Sequence, residues 1–316
     1  MEAATPASWA LRSNASGWIE DARHMIGKVV MPSPLVSIVT PSFNSGEFLE
    51  ETIQSVLSQD YPRIEYLVID GGSTDGSAAI LERYRDRLQY ISQPDKGAAD
   101  AINRGFQRSR GEILAWLSAD DCYLPGAVEA AVERLAVEPD AAVVYGEGYW
   151  MDESGRTLGR YPTVAPYFPA MFRRECGICQ PASFLRRGAI EAVGLLDAGL
   201  QSAFDYDLWI RLSRRHSFMA IPQYLARSRM HSHNKSLGQK GLMFEECIQL
   251  LQRHYGYVPL NWIYGYLSFL KDHTDQFYFP ARTSVSTYLR SLAVGSRYNS
   301  RHLFRYWGEW LSHARP

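Results

Sequence analysis

The chain has 316 residues, 46% hydrophobic and 21% charged, with a formal net charge of -1. That length can bury a full core as one large domain or two smaller ones, and the near-neutral balance excludes a disordered charged protein and a nucleic-acid binder held by bulk charge. Four cysteines, Cys122, Cys176, Cys179 and Cys247, are too few for a disulfide framework. The single Cys-Gly-Ile-Cys at 176–179 lacks the second pair a zinc site needs, so all four read as reduced thiols.

Residues 1–33 show no sustained period and no apolar targeting segment, and they end in the prolines of MPSPL; they read as an N-terminal extension. From there strands and helices alternate. LVSIVT (35–40) reads as a strand, EFLEETIQSVLS (47–58) as an amphipathic helix, IEYLVID (64–70) as a strand and SAAILERYRDR (77–87) as a helix. Next come a strand at 88–92, a helix at 98–108, the strand EILAWLS (112–118), a helix at 125–138 and the strand AAVVYG (141–146). This order predicts an α/β fold, a mainly parallel sheet covered by helices on both faces. The pattern weakens over 149–203. DYDLWIRLSRR (205–215) then reads as a helix, and SFMAIP and YLARSRMH as two short strands. Residues 238–316 read as a helical, aromatic C-terminal region. No run approaches the roughly 20 apolar residues of a spanning helix, and the expected location is the cytoplasm.

In a parallel sheet, ligands bind beyond the carboxyl ends of the strands. Three strands here end in polar groups: TPSFN with Thr40, Ser42 and Asn44; IDGGSTDGS with Asp70 and Asp75; and SADD with Ser118, Asp120 and Asp121. Adjacent carboxylates repel, so the pair at 120–121 needs a cation, an arginine or a helix N-terminus against it. Asp70 reads as a ligand contact and Asp75 as a helix cap. The turn after the second strand is not G-x-G-x-x-G, which argues against a dinucleotide site.

The segments VSIVTPSFNSGEFLEETIQSVLSQDYPRIEYLVIDGGSTDGS, PDKGAADAINRGF and GEILAWLSADDCYLPGA, taken in order and spacing, resemble the family 2 glycosyltransferases, inverting enzymes of the GT-A (Rossmann-like) fold. The similarity runs from about residue 34 to 236 and implies a glycosyltransferase domain over 34–237. It implies that Asp121 binds a divalent cation, Mg2+ or Mn2+, against the diphosphate of a nucleotide sugar, and that Asp120 contacts ribose or metal. Thr40, Pro41, Asn44 and Asp70 match the nucleotide-facing loops, and Asp95, Lys96 and Asn103 the segment that closes over the nucleotide. The sequence departs from the family at Ser118 and Ala119, where a first Asp or Asn and a Ser often stand, and at Gly71, where a second Asp is common. Hard cations take one or two protein carboxylates plus phosphate and water, so two acids at a strand tip suffice.

In FDYDLWIRL (204–212), helical geometry points Asp205 and Asp207 about 200° apart. The resemblance makes Asp205 the general base, with Phe204 where the family usually carries Glu. Asp207 reads as a first-turn or capping acid. Trp209 is an acceptor-side candidate whose other fate is the core. In ARSRMHSHNKS (226–236), Arg229 and His231 match a loop that reaches the leaving diphosphate or its metal, with His233 as an alternative ring. Gln180 and Pro181 fall on the acceptor side by the same analogy.

The implied reaction moves a sugar from a nucleotide-diphosphate sugar, UDP by default, to a hydroxyl of a glycan or lipid-linked acceptor. A sugar-phosphate nucleotidyltransferase and a non-catalytic nucleotide-sugar binder are the rivals. The first would carry a basic loop after the first strand, and TPSFNSGEF has no basic residue. Six arginines against one glutamate over 281–316, interleaved with aromatics, make the C-terminal region a candidate for contact with an anionic membrane surface.

Overall fold

In a computed structural model, the structure describes residues 33–231, 238–273 and 284–313. The strand–helix alternation of the first half forms β1 (Val36–Ser42), α1 (Leu49–Leu57), β2 (Ile64–Asp70), α2 (Ser77–Arg83), β3 (Gln89–Ser92), α3 (Ala98–Arg108), β4 (Ile113–Trp116), β5 (Cys122–Tyr123), α4 (Ala127–Val137), β6 (Ala141–Met151) and β7 (Thr157–Arg160). Then come β8 (Ser183–Arg186), α5 (Arg187–Val193), α6 (Phe204–Ser213) and β9 (Ser217–Arg229), followed by the helices α7 (Lys240–Tyr255), α8 (Leu260–Asp272), α9 (Val285–Tyr298) and α10 (Leu303–His313). The N-terminal extension, Ser33 aside, and the expected His233 lie outside the described residues.

The strands form one sheet in the order β3-β2-β1-β4-β8-β6-β9-β5, with β7 on the side of β6. Strands β3, β2, β1 and β4 are parallel, with Val36 opposite both Ile64 and Ile113. From β1 the chain passes to β2 on one side, yet β4 enters on the other, which leaves a crevice at their carboxyl ends. Beyond β4 the sheet is mixed: β8 is antiparallel to both neighbours, whereas β6 and β9 are parallel to each other.

The two short strands expected from SFMAIP and YLARSRMH are one strand of 13 residues. The reason is local. The register with β6 jumps from Gly146 opposite Ile221 to Glu147 opposite Tyr224. Pro222, which has no N–H to give the ladder, sits in the resulting bulge. Continuity of β9 matters for the site. Cys122 on β5 pairs with Arg227 on β9, so Asp121, next before β5, meets the end of β9.

Side chains alternate between the two faces of the sheet. Val36, Ile38, Val68 and Ala115 join one core with α1 and α4, while Val39, Leu67, Leu114 and Trp116 join the other with α3 and α6. That second core also contains Ile248, Leu250 and Leu251 of α7 and Ile263 and Leu267 of α8. The first two C-terminal helices thus share a core with the sheet.

Gly105 of α3 faces Val39, whose side chain occupies the space a Cβ would need. Gly105→Val should therefore cost about 1–3 kcal/mol by overpacking, read as a lower midpoint in chemical denaturation.

Candidate active site

A cleft of about 850 Å³ opens over the carboxyl ends of β1 and β4. Pro41, Asn44, Asp95, Lys96, Asp120, Asp121, Gln180, Pro181, Asp205, Arg229 and His231 all line it. Residues up to 190 positions apart in the sequence thus reach one crevice, because parallel strands deliver their carboxyl ends to one edge.

The acid pair is held by the end of β9. Asp121 is buried, and its Oδ1 accepts the Arg229 N–H at 2.9 Å. Burial and the neighbouring Asp120 charge raise its carboxyl well above the ordinary range, while the Arg229 N–H and the Ser228 hydroxyl act in the opposite sense. Asp120 Oδ2 lies 2.9 Å from His231 Nε2, and the His231 ring packs against Phe48.

Arg229 was expected at a diphosphate, and its guanidinium is instead committed to the protein. It is 1% exposed. Its Nε donates to Asp120 O at 3.0 Å and its Nη1 to Asp152 O and Glu153 O at 3.1 and 2.8 Å. The Nη2 pairs with Glu51, and the plane lies over the Phe48 ring. A buried cation needs such partners, so Arg229 acts as a strut under the acid pair.

Asp205 stands in the first turn of α6, facing the cleft, and its Oδ1 accepts the Tyr206 N–H at 2.7 Å. Burial pushes its carboxyl up to about 6, and the Glu246 charge adds to the rise against the pull of nearby N–H groups. Asp207 turns the other way. Its carboxylate takes Arg211 Nε and His254 Nε2, both at 2.7 Å, and these partners outweigh burial and hold it below the ordinary range. One helix thus carries two acids with opposite tuning.

Four expected contacts do not line the cleft. The Thr40 hydroxyl is buried against the Tyr66 hydroxyl at 3.0 Å. Asp70 is fully buried and organises its own loop, accepting from Gly72 N, Ser73 N, Ser73 Oγ and Ser92 Oγ. The Asn103 amide bridges to both backbone groups of Leu196. Trp209 stacks on Trp116 in the core at 5.7 Å between rings. The three polar side chains satisfy neighbours instead, and Trp209 fills the core.

Asn44 does reach the cleft, with φ +49°, while its Oδ1 accepts the Thr74 N–H at 2.9 Å. Asp75, one residue before the N-cap Gly76, accepts the Ser77 and Gly46 N–H groups, both at 2.9 Å, and so ties the first loop to the start of α2. At Gly71 a Cβ would stand 2.9 Å from an Asp95 carboxylate oxygen, so glycine lets the loop of 95–97 close against β2. Gln180 holds the wall by donating to Trp116 O at 2.9 Å. The residue patterns did not reveal Phe43, which is 63% exposed in the cleft, nor Gln201 and Ser202. An apolar side chain beside Asn44 in the first loop was the only signal for the former.

The donor set suits a hard cation. The carboxylates of Asp120 and Asp121 share one wall, and oxygen donors are what Mg2+ and Mn2+ prefer, one or two protein carboxylates sufficing beside phosphate and water. Among the described residues no three His, Cys, Asp or Glu side chains are grouped so that they could hold a metal ion.

The sequence profile described as "Glycosyl transferase family 2" matches residues 37–193. The chain belongs to this family. An uncharacterized glycosyltransferase of Rickettsia typhi is 30% identical over 211 residues, covering 63% of this chain and 65% of that protein. The chondroitin synthase of Escherichia coli is 26% identical over 243 residues, covering 72% of this chain and 35% of the synthase. The chain spans less than two thirds of the length of these relatives. Two solved structures share the GT-A fold. Residues 1–349 of Staphylococcus aureus TarS in complex with UDP-GlcNAc superpose with a TM-score of 0.56 at 14% identity, covering 84% of this chain and 81% of that fragment. The mannosyltransferase PcManGT from Pyrobaculum calidifontis, in complex with GDP-Man and Mn2+, gives 0.56 at 16% identity, covering 89% and 82%.

As a strut, Arg229 should matter first to stability: Arg229→Met removes hydrogen bonds to charged and backbone partners and should cost about 2–3 kcal/mol in urea denaturation.

Proposed function

We propose that this family 2 protein is an inverting glycosyltransferase that moves a sugar from a nucleotide-diphosphate sugar, UDP-linked, to a hydroxyl of a glycan or lipid-linked acceptor. The observation that carries this is a carboxylate raised to about 6, Asp205, facing the same cleft as the acid pair. Asp205 takes the proton from the acceptor hydroxyl. That oxygen forms the new bond to the anomeric carbon from the face opposite the diphosphate. The nucleoside diphosphate leaves with the bonding pair, and the configuration inverts.

Asp121, with Asp120 beside it, would hold Mg2+ or Mn2+ against the diphosphate while His231 rests on Asp120, and when bound the cation supplies neutralisation of the charge that grows there. Pro41, Asn44, Asp95 and Lys96 line the donor side, and Gln180 and Pro181 the acceptor side. The chondroitin synthase relative supports a setting in polysaccharide assembly, and the nucleotide sugars in the two structural neighbours support the donor class.

The proposal extends to an anionic membrane surface on the cytoplasmic side, where a lipid-linked acceptor would lie. Phe304, Trp307 and Leu311 form an exposed apolar stripe on α10, with Phe304 87% exposed. Arg290, Arg297, Arg301 and Arg305 are exposed on the same two-helix unit, and Glu309 turns inward to the Tyr257 hydroxyl and the Leu260 N–H. A cationic surface with its acid turned inward complements anionic lipid. No described helix is long and apolar enough to cross a membrane.

Asp205→Asn should still show the thermal shift of wild type with UDP-sugar and Mn2+, yet lose about 10²–10⁴ in turnover. A base must be ionised, and this one has a raised pKa, so the wild-type rate should climb with pH through about 6 and level off above it. Wild-type turnover in Asp205→Asn refutes the assignment. In flotation assays the chain should rise with phosphatidylglycerol vesicles and stay with the pellet fraction in phosphatidylcholine alone, and Phe304→Ser with Trp307→Ser should abolish the difference. Assembly into a dimer through this face, without flotation, overturns the membrane part.

A further inference from the structure

We propose that Glu246, on the C-terminal helix α7, is a positioning residue for Asp205: its buried carboxylate grips the turn that leads into α6 and so sets where the base stands in the cleft. The inference rests on the reading of Asp205 as the base.

Glu246 is 6% exposed, and both of its oxygens point at a single turn. Its Oε1 accepts the Gln201 N–H at 2.8 Å, and its Oε2 accepts the Ser202 and Ala203 N–H groups at 2.9 and 2.8 Å. These are the last three residues before α6, and the helix has no side-chain cap of its own at Ala203. A helix start leaves N–H groups without intrahelical partners and prefers an acceptor and a negative charge nearby. Here another helix supplies both. Asp205 is the second residue of the helix that follows this turn, so holding residues 201–203 sets where its backbone begins.

The same turn reaches the donor side of the cleft. Gln201 Oε1 lies 3.1 Å from where a Cβ would stand on Gly97, in the loop that carries Asp95 and Lys96. One carboxylate from α7 therefore holds a turn that precedes the base and borders the loop of 95–97.

Charge adds to position. Burial is the main cause of the raised Asp205 carboxyl, and the Glu246 charge contributes. Among the described residues, the Cys176 and Cys247 thiols and the Tyr161 hydroxyl also interact with Asp205, and burial raises all three, so they are uncharged at neutral pH. Removing the Glu246 charge must accordingly lower the Asp205 pKa, with burial keeping it above the ordinary carboxylate range.

The test compares Glu246→Gln, Glu246→Asp and Glu246→Ala with wild type and Asp205→Asn in the full chain. In Glu246→Gln an amide donor faces N–H groups, so kcat should fall about 10²-fold with little change in donor KM, as for a base misplaced by about 1 Å. The acid limb of its kcat/KM profile should move below about 6, and Glu246→Asp should recover part of the rate. Amide hydrogen exchange at 201–203 should accelerate in Glu246→Ala, a readout that needs no turnover. Wild-type kcat and an unmoved acid limb in folded Glu246→Gln overturn the proposal while Asp205→Asn stays inactive, as does a loss of stability alone. Turnover by Asp205→Asn would instead remove the base, and unchanged exchange at 201–203 would then remove the grip as well.

Discussion

Two adjacent carboxylates at the buried tip of a strand are unstable alone, and the rest of the site is arranged around that fact. Asp120 and Asp121 can stand there because β9 ends beside them, giving the Arg229 N–H to one and the His231 ring to the other. The Arg229 guanidinium then gathers Glu51 of α1, the Asp120 carbonyl and the turn at Asp152 and Glu153 around the pair. Breaking β9 at Pro222 into two strands would remove that support, so the bulge is what allows a long strand to pass a proline and still reach the acids.

The second constraint acts on α6. Asp205 and Asp207 belong to the same turn and differ in where the helix points them: one into the cleft, the other against Arg211 and His254. α7 contacts this helix through polar groups at both places, Glu246 before its first turn and His254 on Asp207. Apolar residues of α7 fill the core between. The C-terminal helices are thereby coupled to the position of the acid that faces the crevice, although they lie outside the region matched by the family profile.

Much of the fold was readable because each element carries its own period. The strand at 64–70 and the helix at 98–108 form with the boundaries that periodicity predicts. The strand β8 was invisible, since four residues paired on both sides show neither alternation nor flanking turn signals strong enough to mark them. In the site, residues that follow a strand's carboxyl end, such as Asp121 and Asp95, line the cleft. Thr40, Asp70 and Trp209 were not in it, because a side chain's direction depends on neighbours brought in from other elements: Tyr66, Ser92 and Trp116.

Strand–helix order, family and the acidic residues available for chemistry are legible in the chain alone, because periodicity and motif spacing are local properties. Which of those groups face open space and which are consumed by pairing is set by the fold. That Arg229 is a strut, that Asp207 is locked to His254 and that Glu246 reaches back to the start of α6 all depend on contacts across 40 residues or more, and no local pattern encodes them.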